Sequence, residues 1–246
     1  MAYRDIVLND GAAFFWPCTE TTGTTCVDVV AGQNLTYTNS PVLASGGTVV
    51  GDGPVPTFVN ASSQYATLTT NPALGLNTGY TAEVWCGLTS LAANQTIFSY
   101  TTTVSASSVF TIVVDTTGLV SVTFFYGSTS LNTNNGVKFA ADGKPHHILI
   151  TQDNSVNYQL ILDGIGFGLP FAGAAHAGTT STPLRIGAGG TLASPTLFAN
   201  AHIGYAAIYK KILTVGDAQR HYYAGLREGI GTGWSPNMAT HRRALR

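Results

Sequence analysis

The sequence predicts an all-β fold: a two-sheet antiparallel β-sandwich with one short C-terminal helix. Three observations carry this. First, Asp142 to Gly168 reads as a hairpin: His147–Gln152 and Tyr158–Asp163 are strand-forming runs, and Asp153–Asn157 between them are residues that close hairpins. In its second run Tyr158, Leu160 and Leu162 point to one face and Gln159, Ile161 and Asp163 to the other, before Asp163-Gly164 turns the chain. Second, short runs of this kind recur along most of the chain with turn residues between them. Third, only one segment carries a helical signature.

The elements follow in order. Ala12–Pro17, with Phe14, Phe15 and Trp16, predicts an opening strand, and Glu20–Thr25 is turn-rich. Residues 38–57 hold enough Gly and Pro to predict a long surface loop. Gln64–Leu68 alternates weakly. Tyr80–Leu88 alternates well, with Thr81, Glu83, Trp85 and Gly87 on one face and Ala82, Val84, Cys86 and Leu88 on the other. Strands are predicted at Thr96–Tyr100, Val109–Asp115 and Val120–Tyr126, the last two joined by a turn at Thr116-Thr117-Gly118. Beyond the hairpin come Pro183–Gly187 and His202–Tyr209, with Gly187-Ala188-Gly189-Gly190 as a loop. The helix is capped by Thr214, with Asp217 completing the capping box, and Gly225 ends it. Residues 1–11 are then an N-terminal arm, 12–229 the sandwich domain and 230–246 a basic C-terminal arm.

Composition bounds the setting. A chain of 246 residues suits one domain, which buries roughly 70% of its unfolded surface and needs neither metal nor disulfide to fold. Charged residues make up 9%, against about 25% in an average protein, so the surface is polar but little charged and suited to assembly. The net charge of −1 is unevenly spread. Residues 1–60 hold five acidic residues against Arg4, and residues 219–246 hold five arginines against Glu228. Opposite ends of this kind suit contact between copies; five arginines without stacking aromatics do not suggest nucleic acid. Arg4, Asp5 and Asp10 interrupt the opening stretch, so no signal peptide is expected, and no run is apolar enough for membrane insertion. The three cysteines, Cys18, Cys26 and Cys86, lack metal-binding spacing; Cys18 and Cys26 could face each other in a hairpin, but three buried thiols are expected. The glycosylation sequons at Asn34, Asn60 and Asn94 are of the frequency chance gives in so Asn/Thr-rich a chain.

Several stretches, in order, resemble the laminin-G-like, concanavalin A-like jelly roll. They are Phe15-Trp16-Pro17 with Glu20–Thr25 and Asp28; Tyr80–Trp85; Asp142-Gly143-Lys144 with His146-His147, Thr151 and Leu162-Asp163-Gly164; and Ile203–Thr214 with the helix ending Tyr223-Ala224-Gly225. The opening Tyr3-Arg4-Asp5 to Val7-Leu8, set before Phe14-Phe15-Trp16, is similar to versions of this domain in bacteriophage virion proteins, often tail proteins. Two positions depart from the family. Pro145 stands where many relatives have Trp, and Gly204 where many have an acidic residue. In calcium-binding relatives such carboxylates ligate the ion; Asp28 is the remaining candidate ligand, and one carboxylate is a poor site, so no cofactor is expected.

The chemistry points the same way. Glycan-cleaving members of this fold need paired carboxylates about 5–10 Å apart. This chain has three glutamates, Glu20, Glu83 and Glu228, without the glucanase E-x-D-x-x-E strand motif. Glu83 shares a strand face with Trp85 but lacks an acidic neighbour two residues away, and is expected as a polar residue on the outer face of one strand. His146 and His147, adjacent on a strand, point to opposite faces and cannot easily ligate one ion. Sugars stack on exposed rings, and Tyr100, Tyr126 and Trp234, near strand ends or in the tail, are the candidates. The expectation is a non-enzymatic bacteriophage virion protein, of tail or capsid decoration, partnered by virion proteins and copies of itself, with a host-surface glycan as ligand. The alternatives are a secreted lectin module or a glycan-cleaving enzyme.

Overall fold

The computed structural model describes residues 2–47, 49, 52–68, 76, 78–101, 108–126, 129–153, 157–170, 182–191 and 193–227. Helix α1 (Tyr3–Asn9) is followed by β1 (Phe14–Trp16), β2 (Thr25–Cys26), β3 (Leu35–Thr38), β4 (Val42–Gly46), β5 (Val55–Phe58), a 3₁₀ turn at Asn60–Ser62 and β6 (Tyr65–Leu68). The central strands are β7 (Gly79–Leu88), β8 (Gln95–Tyr100), β9 (Phe110–Val114), β10 (Leu119–Tyr126), β11 (Thr129–Lys138), β12 (His146–Asp153), β13 (Asn157–Leu162) and β14 (Ile165–Pro170). β15 (Leu184–Ile186), β16 (Gly189–Gly190), β17 (Pro195–Thr196), β18 (Ala201–Tyr209) and helix α2 (Val215–Arg227) complete the order.

Two eight-stranded antiparallel sheets face each other. The first runs β14-β13-β12-β7-β18-β5-β4, with β1 also on β18; the second runs β11-β10-β9-β8-β15-β6-β3-β2. The predicted alternation places Ala82, Val84, Cys86 and Leu88 of β7 and Tyr158, Leu160 and Leu162 of β13 between the sheets, against Phe98, Phe110, Ile112 and Phe124 of the second. The predicted turn at Asp163-Gly164 joins β13 to β14 with both residues at positive φ, 51° and 75°, which suits the right-handed twist of a two-residue hairpin.

Four expectations are corrected. The stretch 38–57, read as one loop, contains β4, which pairs with β5 through an irregular register between Val42 and Gly46. Within residues 1–11, read as an arm, Tyr3–Asn9 form α1, which buries Tyr3, Ile6 and Val7 against the outer face of the first sheet. Their spacing of three and four residues puts all three on one helical face. Cys18 and Cys26 form a disulfide, Cα atoms 5.1 Å apart, and Cys86 alone is a buried thiol. Finally, α2 continues through Gly225 to Arg227. A Cβ at Gly225 would stand 2.3 Å from the Trp85 ring, so this glycine lets the helix settle on the indole rather than ending it. Residues 228–246, including the basic arm, lie outside the described residues.

With both helices in place, the outer face of the first sheet becomes a second core: Tyr3, Phe15, Trp85, Leu149, Ile161, Tyr205 and Tyr209 are buried there with Ala218 and Ala224 of α2. The face of β7 expected to meet water is therefore sealed.

Candidate functional site

Sealing that face buries a cluster of charged side chains. Glu83 of β7 is fully buried. Its Oε1 accepts from the Tyr209 hydroxyl at 2.5 Å, and its Oε2 accepts from His147 Nε2 and His221 Nδ1, both at 2.9 Å. His221 Nε2 then donates to Asp10 at 2.7 Å, and Asp10, just past the end of α1, also takes the Arg220 guanidinium. The chain of contacts runs from a buried strand through α2 to the end of α1. Burial alone would raise the Glu83 carboxyl; His221 and His147 outweigh it and hold it well below the usual carboxylate range. Burial depresses His221 likewise, but Glu83 and Asp10 overcome this and lift it to about 9.

Withdrawing an ion from water costs several kcal/mol, so this cluster needs its surroundings. They are aromatic. Trp85 stacks on His147 with ring centroids 4.9 Å apart, and Tyr3 meets Trp85, Tyr205 and His221 edge-on at 5.8, 5.8 and 6.0 Å. Burying about 200 Å² per ring contributes about 5 kcal/mol each at about 25 cal/mol per Å². The rings offset the ions, and the ions fix the registration of both helices. This geometry clamps both helices to the sheet.

The other glutamate described, Glu20, accepts from the Val27 N–H at 2.8 Å and the Tyr37 hydroxyl at 2.9 Å, tying β2 to β3. His146, on the opposite face from His147 as predicted, donates from Nδ1 to Asp163 at 2.8 Å and stacks on Phe139 at 3.8 Å.

Asp28, the calcium candidate, is 4% exposed. Its Oδ1 accepts from the N–H groups of Phe15 and Val30, both at 3.0 Å, and its Oδ2 from those of Ala31 at 3.2 Å and Gln33 at 3.0 Å. A carboxylate has about four acceptor sites, so four donors saturate it. At Gly204 a Cβ would meet Val55 Cγ1 at 2.4 Å and the Pro17 carbonyl oxygen at 2.8 Å, which leaves no room for the family's acidic residue. These residues do not fit calcium. Among the described residues no three His, Cys, Asp or Glu side chains form a metal-binding group.

The aromatic candidates fare differently. Tyr100 is fully buried between the sheets, because it ends β8 on the inward-facing register beside Phe98 and Phe110; it cannot offer a ring to a sugar. Tyr126 pairs with Thr129 at the end of β10, and its side chain lies outside the described residues, as does Trp234. The exposed ring is elsewhere. Tyr223, on α2, is 56% exposed and is the only exposed aromatic among the described residues. Its ring lies 5.5 Å from that of Tyr222, which stacks on buried Trp85 at 5.9 Å and 12°. In sequence it stood out only as the third residue of His221-Tyr222-Tyr223. That it points outward follows from His221 and Ala224 pointing in.

Two eight-stranded sheets, a sealed charged interior and a capped closing helix define a jelly roll of the lectin and glucanase type. The chain belongs to the concanavalin A-like lectin/glucanases superfamily, whose laminin-G family profile matches residues 60–219. No curated protein sequence matches it. Among solved structures it is similar to the binding domain of botulinum neurotoxin DC in complex with SialylT (TM-score 0.59, 13% identity, 88% of this chain and 52% of that one). It is also similar to the same domain in complex with rat synaptotagmin II (0.58, 12%, 88% and 52%). The Trypanosoma rangeli sialidase in complex with sialic acid is a further match (0.59, 12%, 91% and 34%). The chain thus spans about half the length of the toxin chains and a third of the sialidase, and the likeness is one of fold.

Proposed function

We propose that this chain is a non-enzymatic, glycan-binding jelly roll carried on a bacteriophage virion, as a tail or capsid decoration protein. The observation that carries the non-enzymatic part is Glu83. The acidic residue best placed by sequence to line a groove is spent inside the protein on Tyr209, His147 and His221. Glycan binding is supported by membership of a superfamily of lectins and glucanases and by the SialylT and sialic acid bound in similar structures. The virion setting is supported by the opening motif and by a surface with 9% charged residues.

The oppositely charged ends, which suggested contact between copies, meet in part within one chain, since Arg220 pairs with Asp10. One observation favours a secreted lectin instead: the Cys18–Cys26 disulfide, a bond that persists in oxidising surroundings.

The test is to incubate the full chain with host-surface polysaccharide and a glycan array while locating it by electron microscopy of particles. Binding without sugar release, with copies on the capsid or tail, is the expected outcome. Sugar release sinks the non-enzymatic part, and absence from any particle returns the secreted lectin.

A further inference from the structure

We propose that the corner formed by Asp163, Gln219 and Tyr223 is a binding subsite for a neutral pyranose. This rests on the glycan-binding function above and names its place and sugar class.

The corner is where α2 crosses the turn between β13 and β14. A Cβ at Gly164 would stand 3.3 Å from both Gln219 Cγ and Tyr222 Cδ1, so the absence of one lets the turn lie flush against the helix. That contact brings three kinds of group together. The first is a flat apolar face. Tyr223 exposes its ring, and the stack beneath, Tyr222 on Trp85, keeps the platform from collapsing inward. The exposed face of the Tyr223 ring suits the C–H face of a sugar.

The second is an amide. Gln219 is exposed and lies one helical turn before Tyr223, so the two side chains are neighbours on the same face. Its amide offers a donor and an acceptor to vicinal hydroxyls. The third is a carboxylate with capacity to spare. Asp163 is about a quarter exposed; its Oδ1 accepts from the His147 N–H and its Oδ2 from His146 Nδ1, both at 2.8 Å. Those two donors fix the carboxylate while leaving about two of its four acceptor sites for a ligand. Its charge reaches the helix: after burial, Asp163 is the next cause of the rise of the Tyr222 phenol to about 12. The carboxylate is already braced before a ligand arrives, which lowers the cost of binding.

The charge selects the sugar. On α2, Arg220 is engaged by Asp10 and Asp217, and His221 by Glu83 and Asp10. With Asp163 as its fixed charge the corner suits hydroxyl donors and repels a sugar carboxylate. It therefore differs in class from the sialic acid named with the similar sialidase.

The experiment uses the full chain, a panel of neutral gluco-, galacto- and manno-oligosaccharides with sialylated counterparts, and calorimetric titration. Wild type is expected to bind a neutral member and not its sialylated form. Tyr223→Ala and Gln219→Ala, both on exposed positions, are expected to weaken that binding about tenfold or more, Tyr223→Phe to keep it within about threefold, with melting temperature unchanged. Neutral-sugar binding that survives both alanine variants overturns the corner and leaves the glycan-binding function standing. Binding of sialylated glycans alone overturns the neutral class. Binding of nothing in the panel sinks the glycan-binding function and the corner with it.

Discussion

Asp28 and Glu83 are both buried carboxylates, and the protein satisfies their hydrogen bonding in opposite ways. Asp28 is satisfied by four backbone N–H groups, three of them within five residues of itself. Glu83 is satisfied by three side chains lying 64, 126 and 138 residues away. The first carboxylate shapes one loop; the second joins a strand to two helices and so holds the fold's outer layer. Where a buried charge sends its hydrogen bonds decides whether it is a local brace or a global one.

Breaking the global brace gives the largest effect. Glu83→Ala leaves His221 and His147 facing an apolar gap and is expected to cost about 3–5 kcal/mol, a fall in melting temperature of about 10 °C or more. Changing Glu83 to Met together with His221 to Leu removes both charges and is expected to recover much of that loss, which denaturant titration would measure. A double variant no more stable than Glu83→Ala would show that the ions act through something other than their mutual compensation. The cluster also sets a pH window. His221 is lifted from 6.5 to about 9, so its contribution is whole below about 6.5 and fades as pH rises toward 9. Glu83 is held below its ordinary 4.5, so its contribution is whole above that pH and fades as pH falls. Stability between pH 4.5 and 6.5 should exceed that on either side, and the alkaline decline should vanish in the double variant.

The local brace is smaller. Asp28→Ala frees four N–H groups that water partly reaches and should cost about 2–4 kcal/mol, with faster hydrogen exchange confined to Phe15 and residues 28–34. The neighbouring disulfide closes a loop of eight residues, for which the chain-entropy estimate is about 2.5 kcal/mol. Reducing Cys18–Cys26 should lower the melting temperature by about 5–10 °C. Because both devices hold one segment, the two losses together should differ from their sum. Strict additivity would mean that the segment folds as two independent halves.

The contrast also explains what could be read from sequence. The β-sandwich was legible because strand alternation and turn chemistry act over a few residues: the faces of β7 and β13, the turn at Asp163-Gly164 and the Thr214–Asp217 cap all stand where their local pattern put them. What was missed is long-range. Nothing near Tyr3 announces that α1 docks, nothing near Glu83 that helices cover it, and nothing near Gly225 that Trp85 waits beneath. Tyr100 was misplaced for the same reason, since a strand end is exposed or buried according to what lies over it. The candidate sugar corner joins residues from 163 to 223, and only Tyr223's exposure, absent from any local pattern, singles it out.

The smallest effect tests whether the global brace and the cap of α2 are separable. Thr214 caps α2: its hydroxyl accepts from the Asp217 N–H at 3.1 Å, while the Asp217 carboxylate takes the Thr214 N–H at 2.8 Å. Removing such a cap costs about 1 kcal/mol, so Thr214→Ala alone should lower the melting temperature by about 2–4 °C. The same helix carries His221 two turns on, and in wild type the cluster holds that stretch down whether or not the first turn frays. In a Glu83→Ala background that anchor is gone, and loss of the cap should spread along α2, costing more than in wild type by a margin a double-mutant cycle can resolve. An interaction energy of zero there would mean that α2 is held by the packing of Trp85 and Gly225 alone, and that the charged cluster braces α1 rather than both helices.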